Sequence, residues 1–338
     1  MKVLVLGGSR FIGLHLVRLL NEGGHQVAVL NRGQTQADIP DNVVRLIADR
    51  TDTEQVKAAL KDGSFDAVFD ISAYTMATLK PVVEALEGRV GHFVFCSTTA
   101  VYGPNDTIPI EEDFPIHRSP DARQYARDKI ECEDFLVEEF NQRGFPMTIL
   151  RPPYVYGPDN YLKAREFSYF ARLKQGRKII IPGDGLTPFH SVHVDDLADA
   201  FALVPGKSQS LSEESDSDLS PSKVSEGQAY TICSPDAITA NGYVRTIAEI
   251  MGVSAEIVNM EPRDYNALDQ ELYPFEWAVS RIYSTDRARR DLNWSPNFHM
   301  RDGLEMTYRW WLDQGLDKEA WDFSNEDEAL LKAGSGLV

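Results

Sequence analysis

Over its first hundred residues the chain alternates short, unbroken apolar runs with stretches of helical spacing. Val3–Leu6, Val27–Leu30, Val43–Ile47, Ala67–Ile71 and His92–Cys96 are the runs. Ile12–Leu20 carries apolar residues at helical spacing and stops at Gly23-Gly24, and Thr53–Leu60 repeats the pattern with Asp52 or Thr53 placed to cap it. Apolar runs that do not alternate with polar residues are strands covered on both faces. Helices between successive strands make those strands parallel. The pattern predicts an α/β fold built on a doubly wound parallel sheet.

A longer helix is expected over Asp121–Gln142, closed by Gly144, followed by a strand at Met147–Leu150. Beyond it proline and glycine become frequent and the periodicity loosens. Residues 1–160 are read as the sheet domain, with late strands near 190–204 and 229–235 returning to it (Val192–Val194 and Tyr230–Cys233). Residues 161–189 and 236–320 are read as a smaller C-terminal substrate lobe. The segment 206–227, GKSQSLSEESDSDLSPSKVSEG, is rich in serine and acid; it has too little apolar surface to order itself and is expected to be a disordered surface insertion. Trp310 and Trp311, with Tyr308, are expected to pack in the second lobe, and SNEDEALLKAG near the end reads as a short amphipathic helix.

Composition narrows the function. With 338 residues, 43% of them hydrophobic, the chain can bury a large core. Its formal net charge of −18 opposes nucleic acid and anionic membrane surfaces. Cys96, Cys132 and Cys233 are scattered, with no CxxC pair, which suits a reducing compartment. No signal peptide and no run long enough to span a membrane is read, so a cytoplasmic protein is expected.

Candidate chemistry begins at GGSRFIG, residues 7–13, between the first strand and the first helix. A pyrophosphate needs close backbone approach and a helix N-terminus, and Gly7, Ser9, Arg10, Phe11, Ile12 and Gly13 form the candidate cradle. No lysine follows Gly13, which excludes a P-loop. At the tip of the second strand, Asn31 and Arg32 stand where a carboxylate would select the 2′-hydroxyl of NAD; the nearest acid is Asp38. Arg10 and Arg32 could together clamp a 2′-phosphate, so the cofactor is read as NAD(P), with NADP favoured, while Asn31 could equally bond a plain ribose.

Tyr125 and Lys129 lie four apart in YARDK, on one helical face continued by Cys132, Leu136 and Phe140. A lysine on so apolar a face needs a task. Beside a tyrosine it would stabilise the phenolate and lower the phenol's pKa, making Tyr125 a general base or acid. The fifth strand ends in Cys96-Ser97-Thr98-Thr99, where hydroxyls reach the crevice in which such sheets bind ligands.

With FCSTTAVYG at 95–103, RPPYVYGP at 151–158, IPGDG at 181–185 and HVDDLADAF at 193–201 added to these motifs, the chain resembles the extended short-chain dehydrogenase/reductases, the NAD-dependent epimerase/dehydratase family. That resemblance runs from Met1 to about Gly315. It implies a Rossmann-type domain for NAD(P), a substrate lobe that usually takes a nucleotide-sugar, and a catalytic Thr98–Tyr125–Lys129 set in which Lys129 also holds the nicotinamide ribose. It further implies cofactor contacts from Asp49, Arg50, Ser72, Ala73, Tyr125 and Pro152, substrate contacts from Thr99, Tyr154, Asn160 and His190, and a homodimer formed through the YARDK helix. The glycine turn is atypical at Arg10. Tyr154 and Phe189 replace the asparagine and arginine common in sugar-nucleotide enzymes. Thr99-Ala100 replaces the Asp-Glu pair of dehydratases, which disfavours a 4,6-dehydratase.

His190, His193, Asp195 and Asp196 are read as structural rather than metal-binding, with the two aspartates capping the next helix. No metal is expected. Two functions compete. One is an NAD(P)-dependent oxidoreductase or epimerase acting on a sugar or nucleotide-sugar. The other is a non-catalytic binding protein on the same scaffold, because GGSRFIG also resembles the chloroplast stem-loop RNA-binding proteins. The dense basic run Lys163, Arg165, Arg172, Lys174, Arg177 and Lys178 is the feature that would support RNA.

Overall fold

A computed structural model describes the chain except at residues 36, 105, 164, 207–220, 262–279 and 335–338. The early apolar runs become β1 (Lys2–Leu6), β2 (Gln26–Asn31), β3 (Val44–Ile47), β4 (Ala67–Asp70), β5 (Phe93–Cys96) and β6 (Met147–Arg151). Between them lie α1 (Phe11–Glu22), α2 (Thr53–Leu60), α3 (Met76–Leu86) and α4 (Gln124–Arg143). The rest of the chain forms β7 (Tyr154–Tyr156), α5 (Glu166–Lys174), β8 (Ile179–Pro182), β9 (Pro188–Phe189), β10 (Ser191–His193), α6 (Val194–Leu203), α7 (Pro221–Ser225), β11 (Ala229–Thr231), β12 (Ile238–Thr239), α8 (Ala240–Met251), β13 (Ile257–Met260), α9 (Asp286–Leu292), α10 (Met300–Asp313) and α11 (Ser324–Gly334).

The main sheet has seven parallel strands in the order β11-β6-β5-β4-β1-β2-β3. Val5 of β1 lies opposite Val29 on one side and Phe69 on the other. The chain winds outward in both directions from β1 and β4, which opens a crevice beyond their C-terminal ends. One sheet face is covered by α1 and α6, whose Leu14, Val17, Leu197 and Phe201 meet Val3, Val5 and Phe69. The other is covered by α2, α3 and α4, through Val56, Leu60, Leu79, Val83 and Leu136. A separate core gathers Phe170, Ile180, Val244, Ile247 and Trp311 from α5, β8, α8 and α10. No helix among the described residues is long and apolar enough to cross a membrane.

Local sequence chemistry fixes the boundaries. Asp52 caps α2, its Oδ1 accepting the amides of Glu54 and Gln55 at 3.0 and 3.1 Å. Gly144 ends α4 at φ 66°, a left-handed stop that glycine takes without penalty. α4 starts at Gln124 rather than Asp121, since Arg123 is still extended at ψ 143°. The cap of α6 is His193, whose Nδ1 accepts from the Asp195 amide at 3.3 Å, rather than either aspartate.

Two expectations for the second half are corrected. β11 does join the main sheet, but β10 pairs with β7 in a separate ladder. Pro152 and Pro153 follow β6, cannot donate to its ladder, and carry the chain out of the sheet before β7 forms. Most of the serine-rich insertion, 207–220, lies outside the described residues, yet its end is ordered: Pro221–Ser225 is helical, and the carbonyl of buried Ser225 accepts the Thr148 hydroxyl at 2.7 Å.

Two charge clusters lock the parts together. His15 on α1 sits 2.6 Å from Asp195 of α6 and 3.3 Å from Asp159, while Arg18 bonds Asp159 at 2.8 Å. Burial opposes a charged His15, but the hydrogen bonds it donates to the two carboxylates outweigh it and raise its pKa to about 9. On α11, the fully buried Glu326 receives Nε of the equally buried Arg172 at 2.9 Å.

Since the folded pKa of His15 exceeds its ordinary value near 6.5, its contribution is complete below about pH 6.5 and is lost as pH rises through about 9. Unfolding free energy should therefore fall by up to about 3 kcal/mol across that window, and His15→Gln should flatten the dependence in urea titrations. Glu326→Gln leaves the Arg172 charge buried without its counter-ion and should cost about 3–5 kcal/mol in the same assay.

Candidate active site

The crevice holds a cleft of about 680 Å³ lined by Gly7, Ser9, Arg10, Phe11 and Ile12 of the first turn, Asn31 and Arg32 of the second strand tip, Asp49 and Arg50 after β3, and Ser72 and Tyr74 after β4. The glycines are required by contact. A Cβ on Gly13 would stand 2.2 Å from the Gly7 carbonyl oxygen, so α1 can begin against β1 only without a side chain there. Gly7 itself takes φ 92°, and its Cβ would lie 2.6 Å from Ser72. Phe11 is held at φ 42°, rare for an aromatic residue, with its ring buried in the core.

The tip of β2 is hydrogen-bonded to this turn. Asn31 Nδ2 donates to Ser9 Oγ at 2.7 Å, and Asn31 Oδ1 accepts the Gly33 amide at 2.7 Å. Those bonds leave the Asn31 amide one further N–H and one oxygen lone pair. Arg10 is exposed, with its guanidinium 5.6 Å from the centre of the Tyr161 ring. Arg32 is exposed on the same cleft, near Asp49, whose carboxylate is held below its usual pKa chiefly by the amide and hydroxyl of Thr51. Asp38 is bonded to Arg18 at 3.1 Å. Arg50, expected at the cofactor, is nearly buried and forks onto Asp70, with one bond of 2.8 Å, and reaches Ser72 Oγ at 2.9 Å. Asp70 also accepts the amides of Ser72 and Ala73 at 3.1 and 2.9 Å, so this pair shapes the loop after β4.

Lys129 is 2% exposed. Its Nζ donates to the carbonyls of Ala73 at 2.8 Å and Cys96 at 2.6 Å, and lies 5.0 and 4.8 Å from the ring centres of Tyr74 and Phe95. Burial lowers its pKa. Tyr125, one turn earlier on α4, is 42% exposed. Its hydroxyl faces Thr98, and its ring lies 6.1 Å from that of Tyr74. The expected lowering of the Tyr125 pKa by Lys129 is not found: desolvation pushes it up to about 12, with Thr98 and Arg165 opposing, and the ammonium is committed to the two carbonyls.

Thr98 is nearly buried and caps the short turn Thr99–Tyr102, its Oγ1 accepting the Ala100 amide at 3.2 Å. Beneath it, Ser97 donates to Glu133, which Arg151 grips at 2.6 and 3.0 Å; Arg151 also reaches the Tyr102 hydroxyl at 2.9 Å. That buried network fixes the strand end carrying Thr98. Thr99 is tied by its amide to the Pro152 carbonyl at 3.0 Å and faces Tyr283.

The other expected substrate residues are engaged within the protein. The Tyr154 hydroxyl donates to Glu166 at 3.1 Å, and Asn160 Nδ2 donates to the same carboxylate at 2.9 Å. His190 Nδ1 accepts the Tyr283 amide at 3.0 Å, and burial lowers its pKa to about 4. Among the described residues no cluster suited to a metal ion is present. The basic run is matched by acids: Lys163 with Glu319, Arg172 with Glu326, Lys174 with Asp317 at 2.6 Å, Arg177 with Asp327 and Lys178 with Glu256 at 2.6 Å. Arg165 stacks 4.3 Å from the Tyr154 ring.

Sequence reasoning missed Tyr74, Tyr161 and Glu166. Tyr74 directly follows the recognised Ser72-Ala73 pair and could have been noticed. Tyr161 stands in a loop without periodicity, where no pattern marks it.

Residues 3–215 match the NAD dependent epimerase/dehydratase family. The chain is 31% identical to the chloroplast stem-loop binding protein of 41 kDa b of Arabidopsis thaliana, over 98% of this chain and 84% of that protein. It is 24% identical to human dTDP-D-glucose 4,6-dehydratase, over 92% of this chain and 89% of that one. In structure it is similar to UDP-glucose 4-epimerase of Thermotoga maritima, with a TM-score of 0.76 and 22% identity over 93% of this chain and 99% of that one. UDP-glucuronic acid 4-epimerase of Bacillus cereus, solved in complex with NAD, matches with a TM-score of 0.73 and 21% identity over 95% of this chain and 100% of that one. The chain belongs to the NAD dependent epimerase/dehydratase family and shares its Rossmann-type parallel sheet.

Proposed function

We propose that the protein is an NAD(P)-dependent oxidoreductase or epimerase acting on a hydroxyl or keto group of a sugar or nucleotide-sugar, with Tyr125 as general acid/base. One observation carries this reading: the Tyr125 phenol faces Thr98 and its ring packs beside Tyr74, which covers the buried Lys129 ammonium and lines the cleft that begins at the glycine turn. The turn fits a dinucleotide, because its glycines leave the backbone bare where a pyrophosphate must approach. Gly7, Ser9, Phe11, Ile12 and Gly13 would hold the pyrophosphate, Arg32 and Asp49 the adenosine end, and Ser72, Ala73 and Lys129 the nicotinamide half. The nicotinamide would supply or accept hydride. An ammonium has one more donor than the carbonyls of Ala73 and Cys96 use, and that donor would serve the ribose.

A phenol with a pKa near 12 is protonated throughout the physiological range. Tyr125 can therefore give its proton to a carbonyl oxygen without prior ionisation, with Thr98 orienting that oxygen. Taking a proton from an alcohol needs the phenolate, so oxidation should quicken as pH rises. NADP is favoured over NAD because Arg10 and Arg32 line the cleft while the nearest acid, Asp38, is bonded to Arg18. A cytoplasmic homodimer remains part of the proposal.

A second reading, a non-catalytic nucleic-acid-binding protein, is favoured by one observation, the name of the Arabidopsis relative. Against it stand the net charge of −18 and the carboxylates paired with the basic run. A salt-dependent shift of stem-loop RNA at sub-micromolar protein would favour that reading.

Fluorescence titration should show tighter binding of NADPH than of NADH; Arg32→Ala should weaken NADPH about tenfold with NADH unchanged, and Arg10→Ala should weaken NADPH more than NADH. A preference for NADH indifferent to both arginines would overturn the 2′-phosphate clamp. On a panel of free sugars and nucleotide-sugars, Tyr125→Phe should lower turnover by about 10²–10⁴-fold and leave dinucleotide affinity unaltered. Wild-type carbonyl reduction should be flat from about pH 6 to 9 while alcohol oxidation rises.

A further inference from the structure

The loop between β7 and α5 crosses from the second lobe to the mouth of the cleft and is pinned at both ends. Glu166, fully buried, accepts the Gly157 amide at 3.2 Å and Asn160 Nδ2 at 2.9 Å. Arg165 Nη1 donates to the Val155 carbonyl at 2.9 Å. On the opposite side Asp159 is bonded to Arg18 of α1 at 2.8 Å and lies 3.3 Å from His15.

Tyr161 projects from this fixed loop with 49% of its surface exposed, and it lines the cleft. Its ring carries the Arg10 guanidinium, 5.6 Å away on the glycine turn. Its phenol faces that of Tyr74, on the wall beyond β4, where Tyr74 in turn covers Lys129 at 5.0 Å. One side chain from the second lobe thus touches both walls of the groove, at the pyrophosphate turn and at the reacting end.

We propose that Tyr161 is a further cofactor-binding residue, which closes the cleft over the bound dinucleotide and sets how fast that dinucleotide leaves. The proposal rests on the dinucleotide reading above. Its two contacts, a half-exposed cation–π pair and a phenol–phenol contact, are each weak. The latch therefore slows exchange without preventing it. Because the loop is held by Glu166 and Asp159, release needs the Tyr161 side chain to swing and does not need the loop to unfold. Arg10 gains a second task, holding the latch shut from the turn.

Stopped-flow displacement of NADPH and of NADH from the full-length protein tests this, with Tyr161→Ala, Tyr161→Phe and thermal unfolding of each variant. Tyr161→Ala should release dinucleotide about tenfold faster, equivalent to about 1.4 kcal/mol, with association altered far less and unfolding temperature unchanged. Tyr161→Phe keeps the ring over Arg10 and should fall between the two. Equal release rates in wild type and Tyr161→Ala would overturn the latch while leaving the dinucleotide site standing. Faster release accompanied by a lowered unfolding temperature would assign the effect to a disturbed loop and also overturn it. Failure of wild type to bind either dinucleotide would overturn both the latch and the reading beneath it.

Discussion

A lysine ammonium almost sealed from water holds the candidate site together. Lys129 donates to the carbonyls of Ala73, in the loop after β4, and of Cys96, at the end of the neighbouring β5, and it does so from α4. Three elements meet at one nitrogen. Burying a charge is costly unless fixed dipoles replace its water, and these carbonyls, with the faces of Tyr74 and Phe95, do so. The rest follows by chain connectivity. Tyr125 lies one helical turn before Lys129, Thr98 two residues beyond Cys96, and the cleft-lining Ser72 and Tyr74 flank Ala73. A hydrophobic residue at 129 would fill the space yet leave both carbonyls unpaired and the strand ends free to part.

Charge is distributed by the same logic. The chain carries a large acidic surplus, and some of that acid faces inward against arginine: Asp70 on Arg50, Glu133 on Arg151, Glu326 on Arg172. Buried pairs of this kind specify one arrangement more than they stabilise it, because desolvation consumes most of the attraction. Here they specify the loop after β4, the strand end under Thr98 and the seat of α11. The basic run that suggested a polyanion groove is absorbed in the same way. Its cations look dense in the sequence only because their carboxylate partners, mostly at 317–327, lie far away along the chain.

What was legible in the sequence follows the range of the forces involved. The strands β1 to β6 were displayed by their apolar runs, and the cap at Asp52 and the stop at Gly144 rest on contacts within a few residues. The glycine turn and the Tyr125–Lys129 spacing were visible because each needs a fixed local geometry. The exit of β10 from the main sheet, the His193 cap and the Glu166 network were not visible, since partners distant in sequence decide them. The same holds for Asn31, Arg50, Tyr154 and Asn160. Their residue types suited ligand contacts, and only the folded chain shows the bonds they make to Ser9, Asp70 and Glu166. The phenol's raised pKa was missed for a related reason: desolvation by the folded surroundings raises it, while the Lys129 ammonium is spent on the Ala73 and Cys96 carbonyls.

A crystal structure of the protein soaked with NADPH tests the central claim most directly. The pyrophosphate should lie on the backbone between Gly7 and Gly13, beneath Tyr161, with the nicotinamide ribose at Lys129 and the ring beside the Tyr125 hydroxyl. Dinucleotide bound elsewhere, or bound in the cleft with its nicotinamide turned away from Tyr125, would contradict it.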